Sequence, residues 1–339
     1  MHKHLIDGSS DIVKALEALN LLSGETMTLF VTDSSGRLSG SLTDGDIRRA
    51  LLRGYKLTDH VSEICHKDCL YVDADRIDPA LLSLARKKGI SLLPAVREGV
   101  IVSLIDLRIQ RGLLPIDAVL MAGGIGERLR PLTEETPKPL LPVGGKPIID
   151  HNIFLLRQFG IQNIYVTVNY LKDQIKAHLK DVVCIEEPVK LGTIGSLSLI
   201  DDFRNPDILV MNADLLTDIN LEAMYLRHLD TEAAITMAVV PYTVSVPFGI
   251  VDHEGDRVKG LVEKPTYNYY ANGGIYLLRK EIVREIPKGR YMDATELIGN
   301  MIKNRRRVTL YPIEGKWLDI GSPDDYRLAK ELGTESLNL

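Results

Sequence analysis

The chain has 339 residues, more than one compact unit usually holds, so two units are expected. Hydrophobic residues make up 45% and charged residues 26%, the balance of a globular protein with an ordinary core, which excludes a disordered chain. A net charge of −5 argues against a nucleic-acid partner, and no apolar run reaches the roughly 18–20 residues of a membrane helix.

The N-terminal stretch MHKHLIDGSS has no apolar core of signal-peptide length, so a cytoplasmic location and no membrane partner are expected. Cys65, Cys69 and Cys184 form no disulfide framework and read as reduced thiols. Cys65 and Cys69 flank His66, but no second ligand cluster accompanies them and Lys67 would oppose a cation.

Residues 12–22 show apolar spacing near 3.6, the mark of a helix. TLFVTDSSGRLSGSLTDGDIRRALLRG (Thr28 to Gly54) then reads as strand, tight turn and strand, closing on a hydroxyl with an aspartate three positions later. The same order returns: a helical run from Pro79 to Lys88, then SLLPAVREGVIVSLIDLRIQRG (Ser91 to Gly112). TDGD (Thr43 to Asp46) matches SLID (Ser103 to Asp106), which points to a duplicated module of about 60 residues. On these residues, 1–112 resembles a tandem pair of CBS domains, an α+β unit. The resemblance implies that Thr43 and Ser103 meet a phosphate and that Asp46 and Asp106 accept from ribose hydroxyls, with room for an adenine or guanine nucleotide. It also implies face-to-face association, as a homodimer or homotetramer. Read from the residues alone, each element caps the helix after it, with Asp44 or Asp46 as the first cap.

RGLLP (Arg111 to Pro115) reads as a linker. From Ile116 onward, short apolar runs alternate with helical stretches. IDAVLMAGG, NIYVTVNY, DILVMNADLL and EAAITMAVVP read as strands; IIDHNIFLLRQFG, LKDQIKAHLK and NLEAMYLRHL read as helices. That alternation predicts an α/β unit over 116–339, with a mostly parallel sheet covered by helices on both faces. Ligands then bind beyond the carboxyl ends of the strands, from Ala122, Asn169 and Asn212 onward.

At the first of those ends the chain reads VLMAGGIGERLRPLTEETPKPLLPVGGKP (Val119 to Pro147). Glycines after a strand let backbone N–H groups approach phosphate oxygens. GGIGER lacks the third glycine of a dinucleotide fingerprint, and no Walker A lysine follows. Arg128 can reach back to a triphosphate, and Lys138 stands between Pro137 and Pro139, which stiffen its backbone. Fixed cations of this kind suit the charge that develops in phosphoryl transfer.

This stretch resembles the signature of the sugar-1-phosphate nucleotidyltransferases, the mannose-1-phosphate guanylyltransferases among them, over residues 116 to about 330. EEPVKLGTIGSL (Glu186 to Leu197), LVMNADLL, VPFGIV, VEKP, ANGGIYLL and KWLDIGSPDDY follow in the family's order. The resemblance implies a Rossmann-like, GT-A-like fold and a reaction of NTP with a sugar 1-phosphate, giving NDP-sugar and pyrophosphate. It implies nucleotide binding by Ala122, Gly123, Gly124, Gly126, Glu187, Gly192 and Thr193. Gly192 and Gly195 flatten the backbone beside the base. Mg²⁺ is held by Asp214 and Asp319. Arg128 and Lys138 stabilise the pyrophosphate and α-phosphorus, and Lys264 aligns the sugar phosphate. Gly249, Glu263, Asn272 and Gly273 line the sugar pocket. Ala213 stands where the family has glycine, and its Cβ is expected to narrow that pocket. Trp317 is expected to support its loop by packing, Asp293 to cap its helix, and NRRRV (304–308) to be a solvated face. By the same resemblance GTP is the favoured nucleotide, with UTP, dTTP and CTP as alternatives, in supply of surface-glycan, nonulosonic-acid or lipopolysaccharide precursors. A catalytically silent nucleotide sensor is the rival class; the presence of Arg128, Lys138, Asp214 and Asp319 weighs against it.

Overall fold

A helix that buries Ile12, Ala15 and Leu19 against strands carrying Leu29, Val31 and Leu42 forms the first core. The computed structural model describes residues 2–75 and 78–332, which divide into two compact units between Leu114 and Pro115. In the first unit, strand β1 (Leu5–Asp7), helix α1 (Ile12–Leu21), β2 (Thr28–Thr32), β3 (Leu38–Thr43) and α2 (Asp44–Leu52) make one copy. β1 pairs parallel with β2, and β2 antiparallel with β3. The second copy repeats the arrangement in β4 (Val72–Asp73), α3 (Pro79–Lys87), β5 (Leu92–Arg97) and β6 (Val100–Asp106). Even the register shift recurs, between Val31 and Thr32 in one ladder and between Ala95 and Val96 in the other. The repeat read from the sequence is therefore a repeat of topology. Phe30, Leu92, Val96 and Ile101 join the copies in one apolar cluster, and Leu38 N donates to Gly99 O at 2.8 Å.

The copies differ after their last strands. Thr43, rather than Asp44 or Asp46, caps α2. Its Oγ1 accepts from Asp46 N at 3.3 Å, and Asp46 Oδ2 accepts from Thr43 N at 2.8 Å, a reciprocal capping box. Behind β6 the chain turns at residues 107–109 and no helix follows. The expectation that Ser103 and Asp106 cap a helix is thus corrected. Ser103 is exposed on its strand, and Asp106 pairs with the Arg108 guanidinium at 2.6 Å, which holds its carboxyl below the usual range. Thr43→Ala is expected to cost about 0.5–2 kcal/mol locally, while Thr43→Ser keeps most of it. Hydrogen exchange of the α2 amides in the full-length protein reads this.

The second unit is built on a seven-stranded sheet. β7 (Ile116–Met121) is followed by α4 (Ile148–Gln158), β8 (Ile164–Val168), α5 (Lys172–His178), β9 (Val183–Glu186) and β10 (Asp207–Asn212). Then come β11 (Leu215–Thr217), α6 (Leu221–Asp230), β12 (Ile235–Ser245), β13 (Ile250–Glu254), β14 (Arg257–Val262) and β15 (Thr266–Arg279). The unit closes with α7 (Ala294–Lys303), β16 (Val308–Pro312), β17 (Trp317–Asp319) and α8 (Pro323–Leu332). The sheet order is β9-β8-β7-β10-β15-β12-β16. β15 runs against both its neighbours, and the other strands share one direction. Consecutive residues of β7 are buried, Ala118 at 1%, Val119 at 0% and Leu120 at 0% exposure, so both sheet faces are covered. Asp117, at the far end of β7 from the glycines, is fully buried. It accepts from Arg204 N (2.6 Å), Asn205 N (3.1 Å), Asn163 Nδ2 (2.9 Å) and Asn205 Nδ2 (2.7 Å). That anchor leaves the glycine end free for a ligand.

Residues 304–308 are exposed around Arg305 and Arg306, and Arg306 pairs with Glu281 at 3.4 Å, as a solvated face should. No helix of the described residues is long and apolar enough to cross a membrane.

Candidate active site

The glycine loop starts where β7 ends. Ala122 N donates to Thr167 O at 3.0 Å, which ties the loop to β8. Gly126 has φ 69°, and a Cβ there would lie 2.9 Å from Thr133 Cγ2 and 3.3 Å from Lys138 Cβ, so only glycine lets the chain fold back on Lys138. Gly124 has nothing within 4 Å of where its Cβ would be; its backbone faces open cleft.

Lys138 is 8% exposed, its backbone flanked by two prolines. Its Nζ lies 2.5 Å from Asp214 Oδ2 and 3.9 Å from Asp319 Oδ1. A short antiparallel ladder brings these carboxylates together, with Leu215 opposite Asp319 and Thr217 opposite Trp317. Ile320 N donates to Asp214 O at 3.2 Å, and Trp317 Nε1 to Gly273 O at 2.9 Å, which locks the tryptophan loop onto β15. The Arg128 guanidinium lies against Gly321, where a Cβ would come within 3.1 Å of its nitrogen. Burial, then Asp214, pushes the Asp319 carboxyl above its ordinary pKa; Lys138 and Arg128 oppose the shift. Asp214 Oδ1 is buried without a hydrogen-bond partner.

Beside Arg128, Lys138 and Asp214 runs a cleft in two connected halves, sharing Met121, Gly124, Lys190 and Asp214; Asp319 stands behind Lys138 and lines neither half. The larger half, about 460 Å³, holds Arg128 and Lys138. The smaller, about 290 Å³, holds Gly123, Glu187, Gly192, Thr193 and Asp293. Lys190, exposed on the shared lip, was not singled out from the sequence; a lysine in a loop carries no local signal that it faces a cleft.

Several expectations change here. Gly192 and Gly195 are required by close packing against a distant segment: Cβ atoms there would meet Met292 O and Arg290 O at 2.6 Å. Asp293 stands at the N-cap position of α7, but its side chain does not cap the helix. Its carboxylate accepts from Thr193 N at 3.2 Å and from Tyr291 Oη at 3.0 Å, while Thr193 Oγ1 accepts from Ala294 N at 2.8 Å. Thr193, a hundred residues away in sequence, takes the capping role. Ala213 is fully buried and faces neither half of the cleft.

The sugar-side residues are the largest departure. β12 and β15 outrun the sheet as a two-stranded arm, paired from Val240–Ala271 to Ser245–Thr266, and β13 and β14 form the hairpin at its tip. Glu263 and Lys264 are exposed on that arm, and Gly249 packs near Glu263 Oε2 and Leu261 Cδ1, at 3.0 and 3.5 Å from its would-be Cβ. None of the three lines the cleft. Asn272 turns along its own strand, donating to Tyr276 Oη at 2.7 Å and accepting from Gly274 N at 3.0 Å. Gly273 is buried, its carbonyl held by Trp317. The ladder explains the difference: once β12 and β15 stay paired past the sheet, the residues between them are carried outward.

The first unit has a cavity of its own, about 420 Å³, lined by Thr28, Ser41, Thr43, His66 and Lys88 among others. Thr43 reaches it; Asp46, whose oxygens are used by Thr43 and Arg49, does not. Neither Ser103 nor Asp106 lines it.

A glycine loop, two cations and two facing carboxylates gather beside the carboxyl edge of a mostly parallel sheet, the place where open α/β sheets bind ligands. The chain belongs to the nucleotidyl transferase family, whose pattern matches residues 117–336. The mannose-1-phosphate guanyltransferase of Schizosaccharomyces pombe is 31% identical over 225 residues, 62% of this chain and 62% of that protein. The bifunctional protein GlmU of Methanocaldococcus jannaschii is 30% identical over 233 residues, 66% of this chain and 55% of that one. The chain thus spans less than two thirds of the length of these curated relatives. The crystal structure of HddC from Yersinia pseudotuberculosis, 26% identical, superposes with a TM-score of 0.51 over 64% of this chain and 98% of that one.

Proposed function

We propose that the protein transfers a nucleotidyl group from an NTP to a sugar 1-phosphate, releasing pyrophosphate. The observation that carries this reading is the meeting of Lys138, Asp214 and Asp319 beside the glycine loop. A sugar phosphate oxygen is already anionic, so no general base is needed; the obstacle is bringing two anions together. Arg128 and Lys138 neutralise the triphosphate end, and Lys190 on the lip meets the incoming phosphate, the part earlier given to Lys264. The loop N–H groups orient the phosphates for in-line attack.

Asp214 and Asp319 fit a magnesium ion: Asp214 Oδ1 is buried with no partner, and Mg²⁺ takes one or two carboxylates plus phosphate oxygens. Asp214 and Asp319 would hold such an ion, which would supply positive charge against the phosphates.

GTP is the favoured nucleotide, supported by the guanyltransferase named among the relatives. The sugar is a hexose, hexosamine or heptose 1-phosphate for surface-glycan synthesis. The first unit is read as a tandem CBS pair that associates copies of the chain, with its cavity at Thr43 open to an adenine or guanine nucleotide. Calorimetric titration of AMP into the full-length protein tests that nucleotide, and sedimentation velocity the dimer or tetramer.

Pyrophosphate release with Mg²⁺, crossing GTP, UTP, dTTP, CTP and ATP with a panel of sugar 1-phosphates, tests the reaction. Turnover with one pair is the expected result. Silence across the grid, with no nucleotide bound by calorimetry, overturns it.

A further inference from the structure

Past the main sheet, β12 and β15 run on as a two-stranded ribbon whose two faces differ in character. Cross-strand partners share a face, and the register pairs Tyr242 with Tyr269 and Val244 with Tyr267. These four continue the row of Val240, which is 9% exposed, whereas Tyr242 and Tyr269 are 59% and 57% exposed. Tyr267 and Tyr269 stack, their centroids 6.3 Å and their planes 26° apart, so the rings hold one another in place. On the other face Thr243 Oγ1 donates to Asn268 Oδ1 at 2.9 Å, Ser245 Oγ lies 3.3 Å from Thr266 Oγ1, and Tyr270 stands opposite Pro241. Neither strand carries a charge from Pro241 to Ser245 or from Thr266 to Ala271, in a chain with 26% charged residues.

An isolated two-stranded ribbon is marginal in water and gains stability when its apolar face is covered. Together with Val251, Leu261 and Val258 at the tip, all exposed, the tyrosine face presents roughly 600 Å² of side chain, at about 150–200 Å² for each whole one. The largest apolar patch on a typical monomer is about 300–600 Å², and one side of a standard dimer interface is about 800 Å², rather more than half of it apolar. The arm alone therefore carries the apolar area that a stable dimer needs.

We infer that the arm is an interface between two copies of this chain, packed tyrosine face to tyrosine face about a twofold axis. A twofold contact uses one patch on both copies, so the patch must suit itself. A face of tyrosine and valine does, because it brings no like charges together; a face made for a different protein takes its specificity from charges placed to match that partner. Tyrosine is also the residue that such contacts favour, with a large apolar ring and a hydroxyl that can reach the wet rim. The inference is independent of the reaction and of any association through the first unit.

The test uses the full-length protein. Sedimentation velocity compares wild type, Tyr269→Asp and Thr243→Asp at one micromolar-range concentration. Y269D sets like charges against each other across the axis and is expected to weaken association by at least ~10²-fold, halving the mass. T243D puts the same charge on the polar face and should keep the wild-type mass. A bis-maleimide spanning about 10 Å, the spacing of sheets packed face to face, then probes Tyr242→Cys, Val244→Cys and Asn268→Cys. The first two are expected to give covalent dimers in at least ~10-fold greater yield than N268C or the wild type, whose Cys65, Cys69 and Cys184 set the background. Equal masses for wild type and Y269D, or cross-linking at Tyr242 and Val244 no better than at Asn268, overturns the assignment whatever the first unit does. A wild type that sediments as a single chain overturns it too. If Y269D and T243D both lose mass, a disturbed ribbon rather than the tyrosine face is responsible, and the assignment falls.

Discussion

Asp214→Ala is expected to lower kcat by at least ~10²-fold, the scale of losing a group that stabilises transition-state charge. Asp214 faces Lys138 with one oxygen and leaves the other buried and unpaired, the arrangement of a ligand held ready. Among the described residues no group of three or more His, Cys, Asp or Glu could take its place, so Asp319 alone would remain to hold the ion. Asp214→Asn keeps the shape and removes the charge, and should lose nearly as much. The measurement is pyrophosphate release with the best substrate pair, titrated with Mg²⁺. A variant within threefold of wild type at saturating Mg²⁺ would remove Asp214 from the metal site.

Lys138→Ala should act in two opposite directions. Turnover falls by about 10²–10³-fold, because a buried cation beside the phosphates is gone. Binding of Mg²⁺ to the nucleotide-free protein tightens, because the ammonium no longer competes for Asp214. The pH response also moves. Burial and Asp214 raise the Asp319 pKa, and Lys138 is the first group opposing them. Without it the raised value climbs further, and the acid limb of Mg²⁺ binding shifts to higher pH. A carboxyl whose pKa rises on folding costs stability when ionised, and the cost disappears as pH falls through the raised value. The K138A protein should therefore lose more stability near neutral pH than at mildly acid pH, and recover it on adding Mg²⁺. Denaturation midpoints across pH read this; a uniform loss at every pH would mean that Lys138 supports packing alone.

What could be read along the chain was local. Leu29 and Val31 in one copy, and Leu93 with Ala95 and Ile105 with Leu107 in the other, stand two positions apart and share one core, and the helices before the strands repeat near 3.6. Short-range periodicity specifies an element and its buried face, so the duplication, the strand–helix alternation and the strand ends with glycines were all legible. Asp214 stood at one of those ends, and Arg128 and Lys138 in the segment after another, where the sheet argument had pointed; Asp319 did not.

Contacts between residues a hundred positions apart were not legible. Asp214 meets Asp319 only because β11 pairs with β17, and Thr193 caps α7 only because the loop after Glu187 packs on Met292. β9, β16 and the antiparallel β15 joined the sheet because their backbone groups needed partners, a demand met by whichever strand lies alongside. The same ladder continues past the sheet, and Gly249, Glu263 and Lys264, on the arm it forms, do not line the cleft where their motifs had placed them. Residue type and spacing, then, determined the chemistry at hand and the elements that bear it. Hydrogen-bond pairing and burial summed over the whole unit decided which of those groups share a cleft.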